Sequence, residues 1–219
     1  MTLRDPALLL SAWETAAGSP RVARGAAVAC APSGLDAVLD LPVGTAARVA
    51  LTAQAEAFGP VADVVLECSA CGAQLDVTLP LLELAADAGG GGSVVVDGVT
   101  VRAPTLRDLV DAPCEDDLLA RCVDGPVGPA QRADVEAAAE ALAGAAGLVV
   151  RADCPECGTQ VAAGLDPGAL LWERVSGAVP SVLAEIAELA AAFAWGEAEI
   201  LALSPPRRRA YLELVRAGR

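Results

Sequence analysis

The stretch Cys68-Ser69-Ala70-Cys71-Gly72 recurs with the same spacing as Cys154-Pro155-Glu156-Cys157-Gly158. Around both motifs apolar and polar residues alternate, which predicts two β-strands joined by a turn that carries the cysteines. Two residues between the cysteines let both sulfurs reach one ion, and glycine after the second cysteine permits a left-handed turn. The repeated motif therefore predicts two β-hairpins of the zinc-knuckle kind.

The two motifs together supply four thiolates, the number that one tetrahedral Zn²⁺ needs. Although 82 residues separate the motifs, we expect them to meet, because the entropy cost of closing a loop grows only slowly with its length. The predicted ligands of a structural zinc ion are Cys68, Cys71, Cys154 and Cys157. An iron–sulfur cluster and a redox dithiol are the alternative interpretations, since thiolates also bind iron and C-x-x-C motifs also occur in oxidoreductases.

The number of cysteines and the absence of histidine limit which metal sites and catalytic mechanisms the chain can have. The chain has seven cysteines, and two complete four-cysteine sites would need eight, so Cys30, Cys114 and Cys122 are predicted to be buried small hydrophobic residues. Without histidine, the chain has neither a Ser-His nor a Cys-His nucleophile pair. A closed four-cysteine site also leaves no open metal position. We therefore expect a protein that is not an enzyme.

The composition predicts a folded chain with a weak core. Hydrophobic residues make up 54% of the sequence, which argues against disorder, but aromatic residues make up only 3%. Small residues bury little area each, so a metal site would add noticeably to stability. Cysteine-rich chains without a recognisable signal peptide are typical of the reducing cytoplasm, where we expect this protein. The apolar segment 178–196 contains Pro180 and two glutamates, so no membrane span is predicted.

The remaining pattern predicts an α+β fold, in which helices flank two zinc-ribbon-like hairpins joined through the four-cysteine site. We divide the chain into three predicted regions: an N-terminal helical segment (1–60), a zinc-ribbon-like region (61–179) with a helical insertion (about 80–147), and a C-terminal helical hairpin (180–219). Within the insertion, Asp97-Gly98 predicts a further hairpin turn. Pro180 predicts a break after which the amphipathic helix of the last region begins.

The charge of the chain is unevenly distributed. Its net charge is −14, yet residues 205–219 carry five arginines and only one glutamate. The acidic body argues against nucleic acid as the partner, since phosphate contacts need a basic surface. Three consecutive arginines lie at the start of a predicted helix, where positive charge is mildly unfavourable. This position indicates that they bind a partner rather than stabilise the helix. The predicted partner-binding residues of this end are Trp195, Ile200, Leu203, Arg207, Arg208, Arg209 and Tyr211.

The last third of the chain carries four short motifs in order: Trp172-Glu173-Arg174, Phe193-Ala194-Trp195-Gly196-Glu197, Ile200-Leu201-Ala202-Leu203-Ser204 and Arg208-Arg209-Ala210-Tyr211-Leu212. This order resembles the baseplate hub assembly chaperone family of T-even-type phages. Relatives of that family occur in the gene clusters of extracellular contractile injection systems, and the two cysteine knuckles fit that branch.

Two earlier motifs fit the same resemblance, namely Leu41-Pro42-Val43-Gly44 and Phe58-Gly59, whereas Arg48-Val49 departs from the family pattern. The resemblance implies a structural or chaperone-like assembly protein of the baseplate of a contractile, phage-tail-like particle. It implies other baseplate or hub proteins as partners and no catalytic residues. A zinc-ribbon regulator that binds nucleic acid is the alternative function.

Overall fold

A computed structural model describes residues 3–87 and 90–218 of the chain, so Met1, Thr2 and Arg219 of the predicted terminal regions lie outside the described residues. The first part is helical and consists of α1 (Pro6–Ala17), α2 (Arg24–Ala29), α3 (Leu35–Leu39) and α4 (Val43–Phe58). Helix α1 begins as its sequence predicts, because Asp5 accepts a hydrogen bond from the N–H of Ala7 and proline occupies the first helical position.

The first cysteine motif lies at the tip of an antiparallel hairpin of β1 (Val61–Glu67) and β2 (Gln74–Pro80), after which α5 (Leu81–Asp87) follows. The second lies at the tip of the hairpin of β6 (Val149–Asp153) and β7 (Gln160–Gly164). We call these two hairpins the ribbons. In each ribbon one face is exposed and the other is turned inward, as the alternation of the sequence predicts.

Beyond α5, the described part of the insertion between the ribbons contains a small sheet and three further α-helices. The sheet has the order β3-β4-β5, and this part comprises β3 (Ser93–Val96), β4 (Val99–Arg102), α6 (Leu106–Asp111), α7 (Glu115–Cys122), β5 (Val123–Asp124) and α8 (Arg132–Ala143). The predicted turn at Asp97-Gly98 is confirmed, since both residues have positive φ angles.

An ion pair between the buried Asp108 and the partly exposed Arg102 holds the start of α6 against β4. Asp108 accepts hydrogen bonds from Nη1 and Nη2 of Arg102 at 2.7 and 2.9 Å, and it also accepts one from the backbone N–H of Thr105. Thr105 in turn caps the helix by accepting from the N–H of Asp108. The pair therefore fixes where the helix leaves the sheet.

The last region differs from the prediction at Pro180. Instead of breaking there, α9 runs without interruption from Pro167 to Phe193, so the predicted region boundary falls inside one helix. Proline removes one helical hydrogen bond, but Val175, Val179 and Ile186 are buried on both sides of it, and this packing outweighs the local penalty. Helices α10 (Glu197–Leu201) and α11 (Pro205–Ala217) then fold back onto α9.

By length and composition alone, α9 could also cross a membrane, since its mean hydropathy is 1.4. Its apolar stripe, however, packs on α1, α2 and α4 within the fold. The core helix of a soluble protein can meet the same length and composition criteria, so the absence of a membrane span stays a prediction.

The main core lies between α9 and the N-terminal helices and is built largely from alanine, valine and leucine. Small residues let the helices approach closely: a Cβ placed on Gly25 of α2 would lie 2.3 Å from the Cα of Gly168 in α9. Mixed helices, small antiparallel sheets, a cysteine cluster and a C-terminal helical hairpin together confirm the predicted α+β class.

Candidate metal centre

The first ribbon presents its cysteines through a tightly bonded tip. Cys68 directly follows β1, and its N–H donates to the carbonyl of Ala73 at 2.8 Å. The N–H of Gly72 donates back to the carbonyl of Cys68, also at 2.8 Å. This turn requires the positive φ of 74° that Gly72 adopts, which is the reason for glycine after the second cysteine.

The second ribbon repeats this tip bond for bond. The N–H of Cys154 donates to the carbonyl of Thr159, and the N–H of Gly158 donates to the carbonyl of Cys154, both at 2.9 Å. Gly158 has a φ of 72°, close to the value at the first tip. The two motifs are therefore copies of one local structure as well as of one sequence pattern.

The four sulfurs meet between the two tips. The Sγ atoms of Cys68 and Cys157 lie 3.7 Å apart, those of Cys71 and Cys154 lie 3.6 Å apart, and all four lie within 4.8 Å of one another. Thiolates bound to one tetrahedral ion with metal–sulfur bonds of about 2.3 Å stand about 3.8 Å from each other. The predicted ligand set is thus brought together at distances that suit a single metal ion.

The site is buried on one side and open on the other. Cys68 and Cys154 are 1% and 2% exposed, whereas Cys71 and Cys157 are exposed. Among the described residues, the other buried members of this cluster are Leu75 and Val161, at 5% and 8% exposure. The contact between the tips is therefore small, and an ion would supply most of what joins them.

The thiols have unequal proton affinities in the metal-free chain. Hydrogen bonds from the hydroxyl and the N–H of Thr159, together with the neighbouring thiols, lower the pKa of Cys157 to about 6. The N–H of Ala73 also acts to lower the pKa of Cys71, but hydrogen bonding with the thiols of Cys157 and Cys154 raises it to about 12. Metal binding must displace the remaining protons, so metal affinity falls as the pH falls.

Thr159 was not among the predicted site residues. Its signal in the sequence is its place two residues after the second cysteine, where both its N–H and its hydroxyl can reach the sulfur. At the equivalent place in the first motif, Ala73 offers only its N–H. The two tips therefore match in backbone but differ in the support that they give to a thiolate.

The C-terminal residues predicted to bind a partner separate into two groups. Trp195, Leu203 and Tyr211 are half-buried, and Trp195 stands edge-on to Tyr211 with ring centroids 4.9 Å apart. Arg207 and Arg209 are exposed. These five residues remain available at the surface.

Ile200 and Arg208 do not fit the predicted role, because they are 0% and 5% exposed. Arg208 points inward, where its Nη2 donates to the carbonyls of Leu201 and Leu203 at 3.2 and 3.3 Å. Consecutive helical residues point in directions about 100° apart, so three arginines in a row cannot all face solvent on one side. Both residues belong to the core instead.

The three remaining cysteines have different surroundings. Cys122 is buried and Cys30 is half-buried, and burial raises the pKa of both thiols. The prediction that Cys114 is buried is wrong: it is exposed, at the start of α7, with its Sγ 3.1 Å from a carboxylate oxygen of Asp117. None of the three adjoins the four-cysteine cluster.

No protein-family model, no curated protein and no solved structure matches this chain. The resemblance of its C-terminal motifs to a phage family therefore depends on those residues alone. The four-cysteine cluster, in contrast, is established by geometry and can hold a metal ion whatever the ancestry of the chain.

Proposed function

We propose that this chain is a zinc-bound structural or assembly protein of the baseplate of a contractile, phage-tail-like injection system, acting by binding other baseplate or hub proteins. The observation that carries the proposal is the closed set of four cysteine sulfurs at single-ion distances. A site with four protein ligands has no position left for substrate, which is typical of structural metal centres.

Zinc is the ion that best suits this ligand set. Four thiolates in two knuckles are a common structural zinc site, and the close sulfur spacing suits one ion better than a cluster of several irons. A single iron would satisfy the same geometry, and the two metals differ in colour, because iron–thiolate sites absorb visible light whereas Zn²⁺ has a filled d shell. The purified chain should contain one zinc per molecule and be colourless. A folded, metal-free protein with reactive thiols would contradict the zinc assignment.

The assignment to a contractile particle is supported by the order of the C-terminal motifs. In the folded chain the last three of these motifs meet at the end of α9, where Trp195 and Tyr211 lie beside Phe193 and two arginines remain exposed. Half-buried aromatic residues next to exposed arginines are the composition that protein–protein contact sites favour. We expect such an end to bind a subunit of the particle in the cytoplasm.

A gene deletion in the organism that encodes the chain tests this function. Sheathed particles, counted by electron microscopy, should disappear on deletion and return with the wild-type chain. The Cys154→Ser variant should fail to restore them, whereas Cys114→Ser, which changes an exposed cysteine outside the cluster, should restore them. Unchanged particle numbers after deletion would refute the baseplate assignment, and tight binding of duplex DNA at low salt would favour the regulator instead.

A further inference from the structure

An apolar trough crosses the insertion between α6, α7 and α8. It consists of two adjoining clefts of about 420 and 450 Å³, which share Leu119 and Arg132 in their walls. Leu109 and Leu118 line the first cleft, and Val127 lines the second. Both clefts are lined mainly by apolar residues, and an amphipathic helix binds by laying its apolar face into a groove of this composition.

The rim of the trough is acidic. It carries Glu115, Asp116, Glu136 and Glu140, against the single basic residue Arg132. Arg132 forms ion pairs with both Asp116 and Glu136, so its charge is already matched. In the described part of the chain, no ion pair engages Glu115 or Glu140. The trough therefore suits an apolar stripe that is accompanied by positive charge.

The outer face of α11 has these complementary properties. Leu214 is 65% exposed, and Ala210 lies one helical turn before it on the same face. Arg207 and Arg209 are exposed, and among the described residues neither of them forms an ion pair. Positive charge in the first turn of a helix is unfavourable, so carboxylates from outside the helix would stabilise it.

Helix α11 cannot reach the trough of its own chain without leaving the core. Its inner face buries Leu212 in the main cluster together with Ile200, and Arg216 pairs with Glu188 of α9 at 3.0 Å. The trough lies on a different part of the fold, between the helices of the insertion. A second copy of the chain can offer the same helix while keeping its own fold intact.

We propose that the trough binds α11 of a second copy of this chain. The contact is head-to-tail, because each copy gives its helix to one neighbour and its trough to another, and such contacts generate rings or filaments. The net charge of −14 does not prevent this, since charges farther apart than about 10 Å are largely screened at 0.1 M salt, while contacting pairs are screened less. The inference goes beyond the proposed function and depends on neither the metal nor the particle.

Charge reversal in the purified, full-length chain tests this contact. Sedimentation velocity of the wild type should show species larger than a monomer whose share rises with protein concentration. A trough variant, Glu115→Arg with Glu140→Arg, and a helix variant, Arg207→Glu with Arg209→Glu, should each be monomeric. An equimolar mixture of the two should assemble again, because each reversed surface then meets its opposite.

Two further variants separate this contact from general effects of charge and folding. Glu14→Arg with Glu83→Arg makes the same change of charge at exposed positions outside the trough and should assemble like the wild type. Leu214→Asp should abolish assembly with unchanged helical circular dichroism. A wild type that stays monomeric at every soluble concentration, or a mixture that does not recover, overturns the proposal. A monomeric chain would still contain its metal and leave the particle assay unaffected, so the two proposals fail separately.

Discussion

The helical core and the pair of ribbons are held together by different means. The helices share one continuous cluster of buried apolar residues, including Leu171, Leu189 and Ile200. In the part of the chain that the structure describes, the ribbons pack on the helices at their base, around Leu79 and Leu81. Toward the tips the contact between the ribbons shrinks to the cysteines and a few apolar side chains. Isolated two-stranded hairpins are marginally stable, so we expect the tips to depend on a metal ion, whereas the helices depend on packing.

Removing a metal ligand should produce the largest difference between the ribbons and the helical core. We expect Cys154→Ser to lose the ion, whose binding contributes about 10–16 kcal/mol to folding in zinc-finger peptides. Amide hydrogen exchange should accelerate in β1, β2, β6 and β7, while α9 stays protected, because its packing does not involve the ion. Metal content per chain and exchange mass spectrometry measure both effects.

The matched control for this experiment is Cys114→Ser, which alters an exposed cysteine away from the cluster. It should keep one ion per chain and wild-type exchange in both ribbons. If Cys154→Ser kept its metal or its protection, the ion would not be what joins the tips.

A cavity in the helical core tests the other side of the comparison. Leu171 is completely buried, so Leu171→Ala should lower the free energy of unfolding by about 2–5 kcal/mol. The folded fraction should still bind one ion, because the ligands lie on the ribbons. Chemical denaturation and metal analysis decide between this result and a coupled loss of metal, which would show that the two regions fold as one.

Substitutions at two glycines test how closely the helices of the core approach each other. A Cβ on Gly25 would collide with the backbone of Gly168, so Gly25→Ala should destabilise the fold by about 3 kcal/mol, the upper end for overpacking. A Cβ on Gly177 of α9 meets nothing within 4 Å, and Gly177→Ala should stabilise the fold by about 0.5–1 kcal/mol. Thermal unfolding of the two variants should shift in opposite directions, and equal shifts would contradict the close helix contact.

The ion pair between Arg102 and Asp108 in the insertion makes a smaller, pH-dependent contribution to the stability of the fold. Burial alone would raise the pKa of Asp108, but hydrogen bonds from Arg102 and Thr105 outweigh it and lower the pKa to about 2. The contacts from Arg102 and Thr105 therefore stabilise the fold above pH ~4, by less than about 2 kcal/mol because water screens the partly exposed Arg102, and this contribution is lost as the pH falls from about 4 to about 2. Asp108→Asn should remove this part of the acid dependence. Parallel denaturation curves for wild type and variant over that range would contradict it.

The sequence predicted the four-cysteine cluster because the signals for it are local. The spacing of two residues, the following glycine and the flanking alternation each involve a few neighbouring residues. The count of seven cysteines then limited the chain to one complete four-cysteine site. Four predictions failed where distant packing decided the outcome. Pro180 stays helical because residues on both sides are buried, Ile200 and Arg208 lie in the core, and Cys114 faces solvent.

The trough of the insertion could not have been predicted in this way. Its walls come from α6, α7 and α8, and no single segment of the sequence carries the shape or the acidic rim. The membership of a contractile particle stays a prediction, since it depends on the order of short motifs in the last third of the chain.

An ion shared by the two tips would also turn the chain into a closed circle. Everything from Cys71 to Cys154 lies on this circle, including the exposed turn at Gly125 and Pro126. A protease that cuts once within that turn would open the circle without separating the halves, because both would still bind the same ion and both contribute to the main core. The molecule can thus survive a break in its own backbone.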